Sequence, residues 1–135
     1  MTEKVLHERD IDVCAEASKF TNLYYEAMDR KRDKINHLYV AVEPNLVWNG
    51  NNVNGQEDIF KFIQTLPQSD HSVQTVDAQR LASMSETSTL PEAIIMTIGG
   101  TVLMGPAQHG FVQNFILMRE DGKFKVKSDR FRYID

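Results

Sequence analysis

Residues 46–60 read LVWNGNNVNGQEDIF, with four Asn and two Gly placed between Trp48 and a run of helix formers. Leu46 to Trp48 makes a short apolar strand. Either Asn49-Gly50 or Asn51-Asn52 supplies the positive φ that a tight reversal demands, and Val53 begins the returning strand. Asn54 is placed to cap a helix, with Glu57 three residues on in the position of a capping-box partner. That helix, running to Leu66, carries Ile59, Phe60, Phe62, Ile63 and Leu66. These cover more than one stripe, so it is expected to be largely buried before Pro67 ends it. The stretch turns a hairpin and launches a buried helix, with Trp48 as a core or rim aromatic.

Upstream, apolar residues recur at Val13, Ala17, Phe20, Tyr24 and Ala27, the four-and-three spacing of one helix face, with Asp12 as N-cap. The helix is expected to reach about Arg32, and residues 1–9, without periodicity, are expected to be flexible. Arg30, Lys31 and Arg32 fall in its last turn. An anion site and a set of cations answering the helix C-terminal dipole are the two readings, and the second is preferred. A short second helix follows Asp33, with Ile35, Leu38, Tyr39 and Val42 inward, and Pro44 prevents its continuation.

Beyond residue 70 the character is β. Residues 72–83 alternate, 93–104 and 109–120 are rich in β-branched and apolar residues, and 123–135 close the chain. SETSTLPE, GPAQHG and EDGK are the turns between them, short enough for antiparallel neighbours. The element order is α-α-β-β-α-β-β-β-β, a single α+β domain over residues 1–135.

The chain carries one cysteine, Cys14, and a formal net charge of -4. No internal disulfide is possible, which fits a reducing compartment. The charge argues against a protein that grips nucleic acid through its phosphates. The charged start MTEKVLHERD does not read as a secretory signal. The expectation is an intracellular protein.

A sheet packed on one side alternates apolar and polar residues. Two strands break that rule. Phe115, Ile116, Leu117 and Met118 are consecutive, and in 93–104 the row Met96, Ile98, Val102 and Met104 is backed by Ile95, Thr97, Gly99, Thr101 and Leu103. Three helices cover one face only, so the second is expected to meet a partner subunit, sheet against sheet. On the last strand Phe124 and Val126 point one way, whereas Phe131 and Tyr133 fall at the other parity. A bulge near Ser128-Asp129 reconciles them and leaves Arg130 outward. Gly99 and Gly100 suit a strongly curved sheet or a close backbone approach. Asp77 shares a row with Val73, Thr75, Gln79 and Leu81. Buried by a partner, its carboxylate would need an Arg.

These pieces resemble a known family. A curved antiparallel sheet wrapped around three helices in this order is similar to the nuclear transport factor 2-like cone. LVWNGN-x-V-x-GQE, YYEAMDRKR, VQNFIL and the terminal SDRFR are similar to the nuclear transport factor 2-related export proteins, the Nxt family, over about residues 13–134. The resemblance implies a small subunit of the messenger-RNA export receptor that heterodimerises with the nuclear transport factor 2-like domain of the large nuclear RNA export factor. It also implies that the heterodimer binds Phe-Gly nucleoporins, shuttles between nucleus and cytoplasm through the pore, and carries no enzymatic activity. Asp77, within TVDAQ, matches an acidic interface position that meets an Arg of the receptor. The expected partner-facing residues are Asp77, Thr97, Gly99, Asn114, Ile116 and Arg130, with no cofactor and no metal.

Two other readings share the fold. One is a homodimeric carrier of Ran-GDP, against which the hairpin and tail speak. The other is a small cavity enzyme, for which Tyr24, Tyr25, Tyr39 and Asp58 are the side chains to consider as oxyanion donors and general base. The inward positions read as Phe, Ile, Leu and Met, which would fill such a cavity. His7, His37, His71 and His109 lack metal-ligand spacing, and His109 reads as a surface turn residue.

Overall fold

A computed structural model describes residues 3–81 and 93–134, with the side chains of the first helix from Val13 onward. Helix α1 spans Glu3–Arg30. Val13, Ala17, Phe20, Tyr24 and Ala27 are buried as their spacing predicts, joined by Tyr25 and Met28. The helix starts at Glu3 rather than Asp12, so residues 3–9 are helical where an irregular segment was expected. Glu, Lys, Leu and Arg are good helix formers, and no Gly or Pro stands before Asp12 to stop them.

Arg32 settles the basic cluster. Its Nε donates to the Met28 carbonyl at 2.8 Å, one terminal nitrogen donates to the Leu66 carbonyl at 2.6 Å, and the other donates to the Pro67 carbonyl. One guanidinium therefore caps a last-turn carbonyl of α1, as the dipole reading expects, and ties it to the chain just beyond residue 64. A 3₁₀ helix, Arg32–Leu38, buries Ile35. Tyr39 then turns to extended backbone and bridges to Val126, so Val42 is 70% exposed instead of facing inward.

Strands β1 (Asn45–Trp48) and β2 (Asn51–Asn54) form the expected hairpin, and Asn49 and Gly50 hold the positive φ values of its turn, 45° and 86°. Helix α2, Gln56–Gln64, starts after Gly55, not from an Asn54 cap. Gly55 sits at φ 90°, and the Asn54 carboxamide oxygen is engaged by Asn45 Nδ2 at 2.6 Å. Ile59 and Ile63 are buried while Phe60, Phe62 and Leu66 are only partly covered, so α2 is half buried rather than largely so.

Four long strands complete the sheet: β3 (Ser69–Arg80), β4 (Ala93–Met104), β5 (Ala107–Glu120) and β6 (Lys123–Tyr133). The spatial order is β2-β1-β6-β5-β4-β3. Neighbours are antiparallel except at β1–β6, which pair in parallel. The turn before β5 is confined to Gly105-Pro106. His109 lies in β5 itself, stacked on Tyr133 with ring centroids 4.0 Å apart. The turn SETSTLPE and residues 82–83 of the expected third strand lie outside the described residues.

Two bulges shape the sheet. At Gln74 the β3–β4 register slips. Opposite it, a Cβ on Gly100 would stand 2.1 Å from the Ser72 carbonyl oxygen, so only glycine admits the close approach. At Lys127 the β5–β6 register slips, one residue before the expected place. That slip brings Asp129 and Phe131 to the inner face with Val126. Ile94, Met96, Ile98, Val102, Phe111, Phe115 and Leu117 complete the inner wall against α1. Trp48 stacks on Phe131 at 3.8 Å and 4° between planes, which pins the hairpin to β6.

Candidate partner-binding face

The outer face of the sheet collects all six residues singled out from the sequence. Asp77 pairs with Thr97, Thr97 with Asn114, and Asn114 with Arg130, so these four form one row across β3, β4, β5 and β6. Asp77, Thr97, Asn114 and Arg130 are exposed, and Thr97 Oγ1 donates to Asn114 Oδ1 at 2.8 Å. On one flank of the row Ile116 pairs with Ile95, and on the other Gly99 pairs with Val112. Ile95 and Leu103, 40% and 46% exposed, give the face its apolar character.

Asp77 has no charged partner among the described residues. Its row contains Thr75 and Gln79 but not Val73, because the bulge at Gln74 turns Val73 to the inner side opposite Gly100. Among the described residues no helix covers this face: α1 contacts β3 and β4 from the inner side, through the buried core.

The inner face holds a polar cluster that alternation alone did not bring out. Asp129 is fully buried, with Oδ2 accepting from Tyr39 Oη at 2.6 Å and Tyr24 Oη at 3.1 Å, and Oδ1 accepting from Gln113 Nε2 at 2.8 Å. Tyr25 Oη donates to Gln113 Oε1 at 2.7 Å. Burial pushes the Asp129 carboxyl up to about 6, the three hydrogen bonds opposing it only in part. Burial, followed by the adjacent Asp129, raises Tyr24 and Tyr39 well above the usual phenol range. Three of the residues weighed for a cavity enzyme, Tyr24, Tyr25 and Tyr39, thus do converge on an acid. That acid is Asp129, not Asp58, which is exposed on α2.

The cluster is sealed. Phe20 and Phe115 pack around Tyr24 with centroids 5.7 Å and 4.8 Å away, and Asp129 has 0% exposure. The polar groups tie α1, the end of the 3₁₀ helix, β5 and β6 together. The signal for this was present: Asp129 shares the parity of Phe131 and Tyr133, and Gln113 that of Phe111 and Phe115.

His71 is also tied down. Its ring Nδ1 lies 2.6 Å from Asp29 Oδ1, and its backbone N–H donates to Asp29 Oδ2 at 2.9 Å. Burial alone would raise Asp29, but the hydrogen bonds from His71 and Ser69 bring its carboxyl below the usual value. Among the described residues no group of His, Cys, Asp and Glu could hold a metal ion, and no helix is long and apolar enough to cross a membrane.

The chain matches the family described as the Nuclear transport factor 2 (NTF2) domain over residues 16–133. It is 43% identical to the NTF2-related export protein of Caenorhabditis elegans, over 99% of this chain and 97% of that one. Among solved structures it is similar to nuclear transport factor 2 from Cryptosporidium parvum, with TM-score 0.75 and 21% identity over 90% of this chain and 94% of that one. It is similar also to a chain of the Candida albicans Mtr2-Mex67 M domain complex, with TM-score 0.69 and 11% identity over 90% and 96%. The sheet wrapped on α1, the hairpin pinned by Trp48 and these likenesses agree, and the chain belongs to the nuclear transport factor 2 domain family and, within it, to the NTF2-related export proteins.

Proposed function

We propose that this chain is a non-enzymatic adaptor that docks, through the outer face of its sheet, on the nuclear transport factor 2-like domain of a large messenger-RNA export receptor. The heterodimer then supports messenger-RNA export through Phe-Gly nucleoporins of the pore, shuttling between nucleus and cytoplasm. The observation that carries the reading is a face that, among the described residues, no helix covers, with apolar flanks and with Asp77 lacking a charged partner. A face of that kind on a soluble domain marks an interaction surface. Support for the type of partner comes from the names of the relatives and from the likeness to the Mtr2-Mex67 M domain complex, a two-chain assembly. An Arg of the receptor domain opposite Asp77 satisfies its carboxylate once water is excluded.

Co-expression with the nuclear transport factor 2-like domain of an export receptor tests the reading. A 1:1 complex that survives size-exclusion chromatography is expected. A chain that elutes alone, with no preference for such a domain over an unrelated one, would overturn it.

A further inference from the structure

Strand β3 ends the sheet on the side opposite β2, and among the described residues no strand pairs with its far side. Two hydrogen bonds fix the direction of its backbone groups. Leu81 N–H donates to the Ala93 carbonyl at 3.0 Å, so residues of the same parity, Thr75, Asp77 and Gln79, turn their N–H and C=O toward β4. Val76 and Ala78 therefore direct theirs outward along the free edge. Nearer the start of β3 the same edge is closed from α1, where the His71 N–H donates to Asp29 Oδ2 at 2.9 Å. Past the bulge at Gln74 no such cap recurs among the described residues, and the strand has none of the Pro residues that blunt an edge.

Beneath this edge a groove of about 650 Å³ runs between β3 and α1. Val76 turns to the inner side of the sheet, opposite the buried Ile98, yet is 44% exposed and forms part of the groove with Val73. The lining carries three carboxylates, Glu26, Asp29 and Asp70, against one guanidinium, Arg30. Asp29 is engaged by Ser69 and His71. Glu26 is exposed and meets Lys31 only at 3.7 Å, and Asp70 is exposed as well, so these two remain for a ligand.

We propose that the free edge of β3 and the groove beneath it form a second docking site, which takes an extended basic segment of a partner protein as an added strand. The segment's backbone pairs with Val76 and Ala78, and every second side chain enters the groove. There the alkyl stems of Arg or Lys lie on Val73 and Val76 while their charges meet Glu26 and Asp70. The lining rejects an acidic segment. It also disfavours a second copy, because β3 paired with β3 would bring two acidic grooves together. The site lies on the inner side of β3, whereas Asp77 belongs to the outer row.

Calorimetry and amide hydrogen exchange on the full chain test this with a short acetylated peptide in which Val and Arg alternate, beside one in which Val and Glu alternate. At physiological salt the Arg peptide is expected to bind saturably with a Kd below about 100 μM, and the Glu peptide at least about tenfold more weakly. Saturation with the Arg peptide should slow exchange of the Val76 and Ala78 amides by about tenfold or more and leave the opposite edge, β2, unchanged. Glu26→Lys alters an exposed helix position and should weaken the Arg peptide about tenfold. Val76→Pro removes an outward donor but no ladder bond, a change that an edge strand tolerates, and should abolish binding. Far-ultraviolet circular dichroism establishes that both variants fold, and if Val76→Pro does not, Glu26→Lys and the exchange measurement decide. No binding of the Arg peptide, equal affinity for the two peptides, binding without slowed exchange at Val76 and Ala78, or an unaltered affinity of Glu26→Lys would each overturn the proposal. So would slow exchange at those two amides in the native chain without peptide, which would mean that a second copy already holds the edge.

Discussion

Tyr39 Oη donates to Asp129 Oδ2 at 2.6 Å, joining the end of the 3₁₀ helix to a carboxylate buried beneath the sheet. Tyr24 and Gln113 bring α1 and β5 to the same acid, so the interior is organised around a polar knot as well as an apolar wall. A buried acid with its donors satisfied fixes the relative placement of four elements, at the cost of desolvating a charge.

That cost makes stability depend on pH. The Asp129 carboxyl sits at about 6 in the folded chain, against roughly 4 when unfolded. Between these values the folded state binds more protons than the unfolded one, so this group's contribution is most favourable below about pH 4 and falls as pH rises through the folded value. Asp29, whose carboxyl is lowered, acts in the opposite sense, so the comparison must be between proteins. Relative to the native chain, Asp129→Asn is expected to gain on the order of 3 kcal/mol from pH 4 to pH 7 in urea unfolding. Parallel stability curves for the two proteins would contradict the role given to Asp129.

Arg32 is expected to be the most costly surface-reaching cation to remove. Its guanidinium serves the Met28 carbonyl in the last turn of α1 and the Leu66 carbonyl just beyond α2 at once. Arg32→Ala should lose about 2–3 kcal/mol in urea unfolding, allowing for its partial exposure. Arg32→Lys should recover less than half of that, because an ammonium cannot reach both carbonyl ends with a planar fork.

Gly100→Ala sets a methyl against the Ser72 carbonyl, backbone on which the bulge depends. The expected loss is at least ~3 kcal/mol or failure to fold. Gly50→Ala meets no atom within 4 Å, though its φ of 86° is strained for alanine. It should lose only about 1 kcal/mol. Equal effects at the two sites in thermal unfolding would remove the bulge from the account.

The helix and strand order is legible in the sequence because each element carries its own period: Val13 to Ala27 at helical spacing, Met96 to Met104 alternating on β4. The outer-face residues are legible for the same reason, since alternation assigns Thr97, Asn114 and Ile116 to one side. What alternation misplaces is Val73, whose side is set by a bulge that leaves no mark in residue type. The start of α1 and the cap of α2 also escape, because they depend on marginal choices: helix formers with no stop signal before Asp12, and Asn54 drawn off by Asn45. The parallel β1–β6 pairing is a long-range choice that neither strand encodes.

RNA is expected to bind this chain only weakly on its own. The net charge is -4, and the aromatic set between Lys123 and Lys125, Phe124, packs partly buried against the core instead of standing out as a stacking platform. Fluorescence anisotropy with a single-stranded RNA at physiological salt should give no saturable binding below ~10 μM protein. Submicromolar, salt-sensitive affinity would contradict this.

The affinity of an export receptor's nuclear transport factor 2-like domain for the native chain and for Asp77→Arg, measured side by side by calorimetry, decides whether the outer face is the docking face. The substitution leaves the inner wall untouched, so the variant should keep its secondary structure. It sets a cation against the receptor's Arg in a water-poor seam and should weaken binding at least ~100-fold, with partial recovery when that receptor Arg is changed to Asp. Unaltered affinity of Asp77→Arg for the receptor domain would show that the partner does not dock on this row.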